Sequence, residues 1–129
     1  MFLHKPTQSA TSAFSAEVDI TEGQVVAFGT GPTQVLIGAA NAQPVGIATE
    51  SSVTGANVDV CMSGPTRGIS GGAIAIGNLL AVAAAGRLVA ITIGDTTPGL
   101  RVVGTALSAA AAAGEFVSVF IGRNSYVQV

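Results

Sequence analysis

The second half of this chain partly repeats the first. Val45-Gly46-Ile47-Ala48 is followed by a small-residue stretch and then by Gly55-Ala56-Asn57-Val58-Asp59-Val60-Cys61-Met62-Ser63-Gly64. Val103-Gly104-Thr105-Ala106 is followed in the same way by Gly114-Glu115-Phe116-Val117-Ser118-Val119-Phe120-Ile121-Gly122. Upstream, Gly23-Gln24-Val25-Val26-Ala27 is echoed by Gly77-Asn78-Leu79-Leu80-Ala81. Each copy of a repeat builds the same supersecondary unit, so the fold must be one that a β unit can make twice. The alternation in Val58-Asp59-Val60 and Val117-Ser118-Val119 is the period of a strand with one buried face.

The rest of the chain carries the same signal. Glu17-Val18-Asp19-Ile20 alternates, and Val25 to Phe28, Gln34 to Ile37, Val45 to Ala48 and Asn57 to Met62 read as strands. So do Thr66 to Ile69, Leu79 to Val82, Arg87 to Ile93, Val102 to Ala106, Phe116 to Ile121 and Tyr126 to Val129. Turn formers at Thr21-Glu22-Gly23, Gly29 to Pro32, Gly64-Pro65 and Gly94 to Gly99 separate them. About ten short strands at this spacing predict an all-β sandwich or barrel. Ala109 to Ala113 favours helix locally. The segment is too short to hold a helix alone, so a loop or a single helical turn is expected there. Met1 to Ala16, rich in Thr and Ser with Phe2 and Phe14 as isolated apolar anchors, reads as an extended arm. The expected organisation is therefore an arm over 1–16 and one β-barrel domain over 17–129, compact and internally duplicated.

Charge restricts function next. Only 9% of the 129 residues are charged, against about 25% in an ordinary soluble domain, while 49% are hydrophobic. Such a chain either enters a membrane or hides apolar surface against other subunits. Gly68 to Gly86 is uncharged, but its glycines break it into short bursts that read as strand–turn–strand rather than a spanning helix. Met1-Phe2-Leu3 meets His4, Lys5 and Pro6 before an apolar run can form, so no cleaved leader is expected. Subunit association is the expected outcome. The five basic residues are scattered, so no nucleic-acid face is expected.

The residues of catalysis are sparse. His4 is the lone histidine and Cys61 the lone cysteine, which excludes a disulfide within the chain and the usual zinc sites. Cys61 lies in an alternating strand and reads as a small packing residue. Glu17 with Asp19, or Asp59 with Glu115, are the carboxylate pairs a glycosidase would use, but carboxylates alternating along a strand are ordinarily its wet side. Gly29-Thr30-Gly31 and Gly71-Gly72 lack the Lys-Ser/Thr and the helix of a phosphate loop. No catalytic residue, cofactor, metal or small-molecule substrate is expected.

The order of these motifs resembles that of the small decoration or cement proteins on the capsids of tailed bacteriophages. The resemblance runs from about Ile20 to Gly122. It is strongest where Val103 to Ala106, Ala109 to Ala113 and Gly114 to Val119 follow one another. It implies a non-enzymatic structural virion protein. Such a protein forms a homotrimer on the exterior of the capsid, bound to the major capsid protein and assembled in the host cytoplasm, with no nucleic acid or membrane as partner. Phe2, His4, Lys5 and Phe14 of the arm, and Phe116 and Phe120 on one side of their strand, are the candidate capsid or subunit contacts. The alternative is a carbohydrate- or receptor-binding β module of a phage fibre or host-attachment structure.

Overall fold

Runs of Val, Ile and Leu punctuated by glycine become strands throughout. The computed structural model describes residues 10–40, 42–91 and 101–122. Nine strands form among them: β1 Ala10–Ala16, β2 Val25–Phe28, β3 Gln34–Ile37, β4 Gly46–Ala48, β5 Asn57–Ile69, β6 Leu79–Val82, β7 Leu88–Ala90, β8 Gly104–Ala106 and β9 Phe116–Ile121. A short 3-10 turn spans Ala84–Gly86. Among the described residues no helix is long and apolar enough to cross a membrane.

The strands neighbour one another in the order β1-β3-β2-β4-β5-β9-β8-β6-β7, and β1 also pairs with β5. The first five strands therefore close a barrel. β1 runs antiparallel to β5 (Phe14 opposite Val58) and parallel to β3 (Ser15 opposite Gln34). Beyond Gly64, β5 pairs with β9 (Gly68 opposite Val117). The second circuit, β5-β9-β8-β6-β7, is brought round by one parallel bridge, Ser70 to Leu88.

The duplication is thus a duplication of barrels, joined by one long strand. Matching hydrogen bonds recur at matching places. Gly23 N–H donates to Ala48 O at 2.9 Å, and Gly77 N–H donates to Ala106 O at 2.9 Å. Gly55 N–H donates to Ala16 O at 2.8 Å, and Gly114 N–H donates to Ser70 O at 2.8 Å. The last pair makes β1 the counterpart of the second half of β5. The repeat therefore begins at least at Ala10, well before the point where the sequences look alike.

Each barrel has its own core. Ala16, Ile20, Val26, Val35, Val45, Ala48, Val58 and Val60 fill the first, with Phe14 and Ile37 packed against them. Ile74, Leu80, Val82, Leu88, Val103, Ala106, Ala110, Val117, Val119 and Ile121 belong to the second. Three residues of the first half, Val25, Ile47 and Cys61, join that second cluster instead of their own. They sit on the outward side of β2, β4 and β5, and there the two barrels meet. The two chains of β4–β5 and β8–β9 also approach closely: a Cβ at Gly46 would strike Cys61 O, and one at Gly104 would strike Phe120 O.

Several expectations need correction. Ala10–Ala16, expected within the arm, is strand β1 of the first barrel. Its small polar side chains hide a strand whose place comes from pairing on both edges. Glu17 to Ile20, expected as a strand, is a bend with one bridge, Ile20 to Ser52. Gly64-Pro65, expected as a turn, lies inside β5. Gly64 has φ +94°, open to glycine without strain, and the strand swings there from one barrel to the next instead of reversing. The Ala109–Ala113 segment, by contrast, is the loop expected, with a bridge from Ala110 to Ile74. The strand expected over Tyr126 to Val129 lies outside the described residues.

Candidate functional site

The acidic residues serve the loops. Glu17 Oε1 accepts the Thr30 N–H at 2.8 Å, Glu50 Oε2 the Asp59 N–H at 3.1 Å and Glu115 Oε1 the Ala111 N–H at 3.0 Å. Asp19 Oδ1 accepts both the N–H (2.8 Å) and the hydroxyl (2.9 Å) of Thr54. These bonds, the backbone one first, hold the Asp19 carboxyl below its ordinary pKa. Glu22 Oε2 meets Arg67 Nη2 at 2.9 Å. Glu17 and Asp19 are thus turned to different loops, at Thr30 and Thr54, and Glu115 to its own loop at Ala111. Each carboxylate that accepts a backbone N–H fastens a turn to the barrel wall. Among the described residues, no group of three or more His, Cys, Asp or Glu is placed to hold a metal. Cys61 is buried and its thiol donates to Ser63 O at 3.3 Å, which is the packing role expected of it.

The surface is more informative than any cleft. β9 alternates cleanly: Val117, Val119 and Ile121 face the second core, while Phe116 and Phe120 face outward and are exposed. The two phenylalanines differ in setting. The guanidinium of Arg67 stands 4.4 Å from the centre of the Phe116 ring, and Phe116 Cε1 lies 3.0 Å from where a Cβ on Gly23 would be. Phe116 therefore spans the junction of the two barrels under a cation–π lid. Among the described residues no cation stands over Phe120, which is 42% exposed and lies opposite Pro65 on β5. It stands in register with Thr105 on β8, which is in register with Leu79 on β6, and the three form one outward row. Leu107, just past β8, and Ile76, in the turn before β6, are exposed as well. Phe28, at the end of β2, is a further exposed aromatic residue.

Of the other candidate contacts, Phe14 is half-buried against the first core. Phe2, His4 and Lys5 lie outside the described residues. Sequence reasoning missed Leu79, Leu107 and Phe28, because their exposure depends on whether another element covers an outward face.

Comparison with known proteins bears on what this surface meets. The profile of the phage cement protein family matches residues 4–121. The chain belongs to that family. Among solved structures, this phage cement protein is similar to the N base of the head fibre gp8.5 in bacteriophage phi29. The TM-score is 0.70 at 21% identity, over 94% of this chain and 100% of that one. At that identity the likeness is one of fold. No curated protein matches. Cement proteins are structural phage proteins, which supports a head-stabilising role at the capsid and a place in the virion.

Proposed function

We propose that this chain is a trimeric cement protein that binds the outer surface of the major capsid protein and braces the phage head without catalysing a reaction. The observation that carries the reading is the partly exposed Leu79–Thr105–Phe120 row on β6, β8 and β9 of a chain of the cement protein family. Phe120, Leu79 and Leu107 are exposed on or just past these strands. Stable specific interfaces bury on the order of 1,200–2,000 Å², and an apolar barrel wall offers such an area once it is covered. A trimer hides it, and the remaining surface is left for the capsid. In this reading the part of the expected 1–16 arm that precedes β1 contributes capsid contacts.

The test is binding to heads assembled without the protein. Saturable binding in multiples of three, at the outer face in electron micrographs, is expected. Failure to saturate, or binding to disrupted heads only, overturns the reading. Removing residues 1–9 should leave a folded trimer and weaken capsid occupancy.

A second reading has one observation in its favour, the shared fold with a head fibre base. In that reading the chain is a carbohydrate- or receptor-binding module of a fibre. A clear glycan-array hit together with no affinity for heads would favour it.

A further inference from the structure

The two barrels are equivalent, but their outward walls are not treated alike. On the first barrel, Val25, Ile47 and Cys61 form a cross-strand row, in register on β2, β4 and β5. On the second, Leu79, Thr105 and Phe120 form the matching row on β6, β8 and β9. The first row is 0% exposed throughout. In the second, Leu79 is 38% and Phe120 42% exposed.

What covers the first row is the rim of the second barrel. Val82 ends β6 opposite Leu88, where the β6–β7 hairpin begins. A Cβ at Gly38 would lie 3.3 Å from Val82 Cγ1 and 3.6 Å from Val25 Cγ1, so Val82 and Val25 meet there. Leu88 and Ile47 likewise converge on Gly68. At the hairpin tip, Gln24 Nε2 donates to Ala85 O at 3.0 Å. The contact is a hairpin rim seated on an outward wall.

The first barrel has the same rim. Phe28 ends β2 opposite Val35, as Val82 ends β6 opposite Leu88. Val82 is 3% exposed in its socket, whereas Phe28 is 61% exposed. Each chain thus carries one buried rim and wall and, among the described residues, one exposed rim and partly exposed wall of the same construction. Singly exposed apolar residues are ordinary on a protein surface. Here the exposed ones fall at positions whose counterparts are buried, on both sides of a contact the fold already makes once.

We infer that the Leu79–Thr105–Phe120 wall of one chain receives the Phe28 rim and β2–β3 hairpin of a second copy. This is a head-to-tail contact that repeats between chains the junction within each chain. A heterologous contact of this kind closes into a ring when the rotation permits. The inference rests on the self-association proposed above and names the surfaces that make it.

The test uses the full chain with sedimentation velocity and native mass measurement. Wild type, Phe28→Glu, Phe120→Glu and an equimolar mixture of the two variants are compared, with Val53→Glu as control at an exposed apolar site off both surfaces. Each single variant should weaken association by about 30-fold or more, as loss of a central aromatic contact does. The control should not. The mixture should form a one-to-one dimer, because the intact rim of the Phe120→Glu chain still fits the intact wall of the Phe28→Glu chain.

A second measurement does not depend on disruption. Phe28→Cys and Leu79→Cys chains, mixed under mild oxidation, should cross-link to each other and not to themselves, since Cys61 is buried. Trimers that survive both glutamate variants, or self-cross-linking of either cysteine variant, overturn this interface and leave trimerisation standing. A wild type that stays monomeric at about 100 µM, far above the dissociation constants of specific protein complexes, overturns both.

Discussion

The junction between the barrels makes a quantitative prediction at Ile47. Its side chain is wholly buried on the outward side of β4, between Val25 and Cys61 and against Leu88 of the second barrel. Ile47→Ala removes three carbon groups, each worth about 0.8 kcal/mol of transfer free energy. It also leaves a cavity between two closed barrels that cannot collapse into one another. The expected loss is about 3 kcal/mol, within the roughly 2–5 kcal/mol measured for such truncations. Thr105 is the counterpart on the second barrel, half-buried where Ile47 is wholly buried. Thr105→Ala should therefore change stability by less than about 1 kcal/mol.

Urea unfolding at one fixed protomer concentration is the assay, since association adds to apparent stability. With a slope of about 2 kcal/mol per molar urea, Ile47→Ala should lower the midpoint by about 1.5 M in a single transition. A loss below about 1 kcal/mol, or equal losses at both positions, would refute the claim that the chain buries one wall wholly and the other only in part.

Three further outcomes follow from the same geometry. Gly104→Ala and Gly46→Ala each set a methyl against a backbone carbonyl that cannot move aside, so each should cost about 1–3 kcal/mol in urea midpoints. Gly72→Ala, with open space around it, should stay within about 0.5 kcal/mol of wild type. Asp19 is held below its ordinary pKa of 3.8, so its contribution is complete above that value and is lost as pH falls through the folded pKa. The stability gap between wild type and Asp19→Ala, followed by thermal melts from pH 7 to 2, should be constant to about pH 4 and then narrow. Truncation after residue 9 should leave the near-ultraviolet dichroism and melting transition intact. Truncation after residue 16 removes β1, opens the first barrel and should abolish cooperative unfolding.

The strands with alternating or continuous β-branched residues were legible from the sequence to their ends: β2, β3, β6 and β9 fall where Val25, Gln34, Leu79 and Phe116 open them. β1 was not. Thr11, Ser12 and Ala13 are all exposed, so no alternation marks the strand, and its position comes from pairing with β3 and β5. Gly64-Pro65 carries a turn signal locally, yet the positive φ at Gly64 serves a change of sheet. The surface divides the same way. The outward side of β9 was visible as alternating phenylalanines. That Arg67 reaches Phe116 depends on where β5 and β9 pair, and a periodicity does not carry that information. The duplication was visible, but its inequality was not: Val25 and Leu79 look alike in sequence and differ only in what the rest of the chain places over them.

The role proposed for this phage cement protein is to brace the head, one wall covered by a second copy and the remaining surface set against the capsid. Thermal rupture of DNA-filled heads, with and without saturating protein, tests it most directly, with released DNA as the readout. Decorated heads should rupture at a higher temperature, and Phe120→Glu protein should lose most of that gain. Undecorated and decorated heads that release DNA at the same temperature, despite saturable binding, would contradict the account.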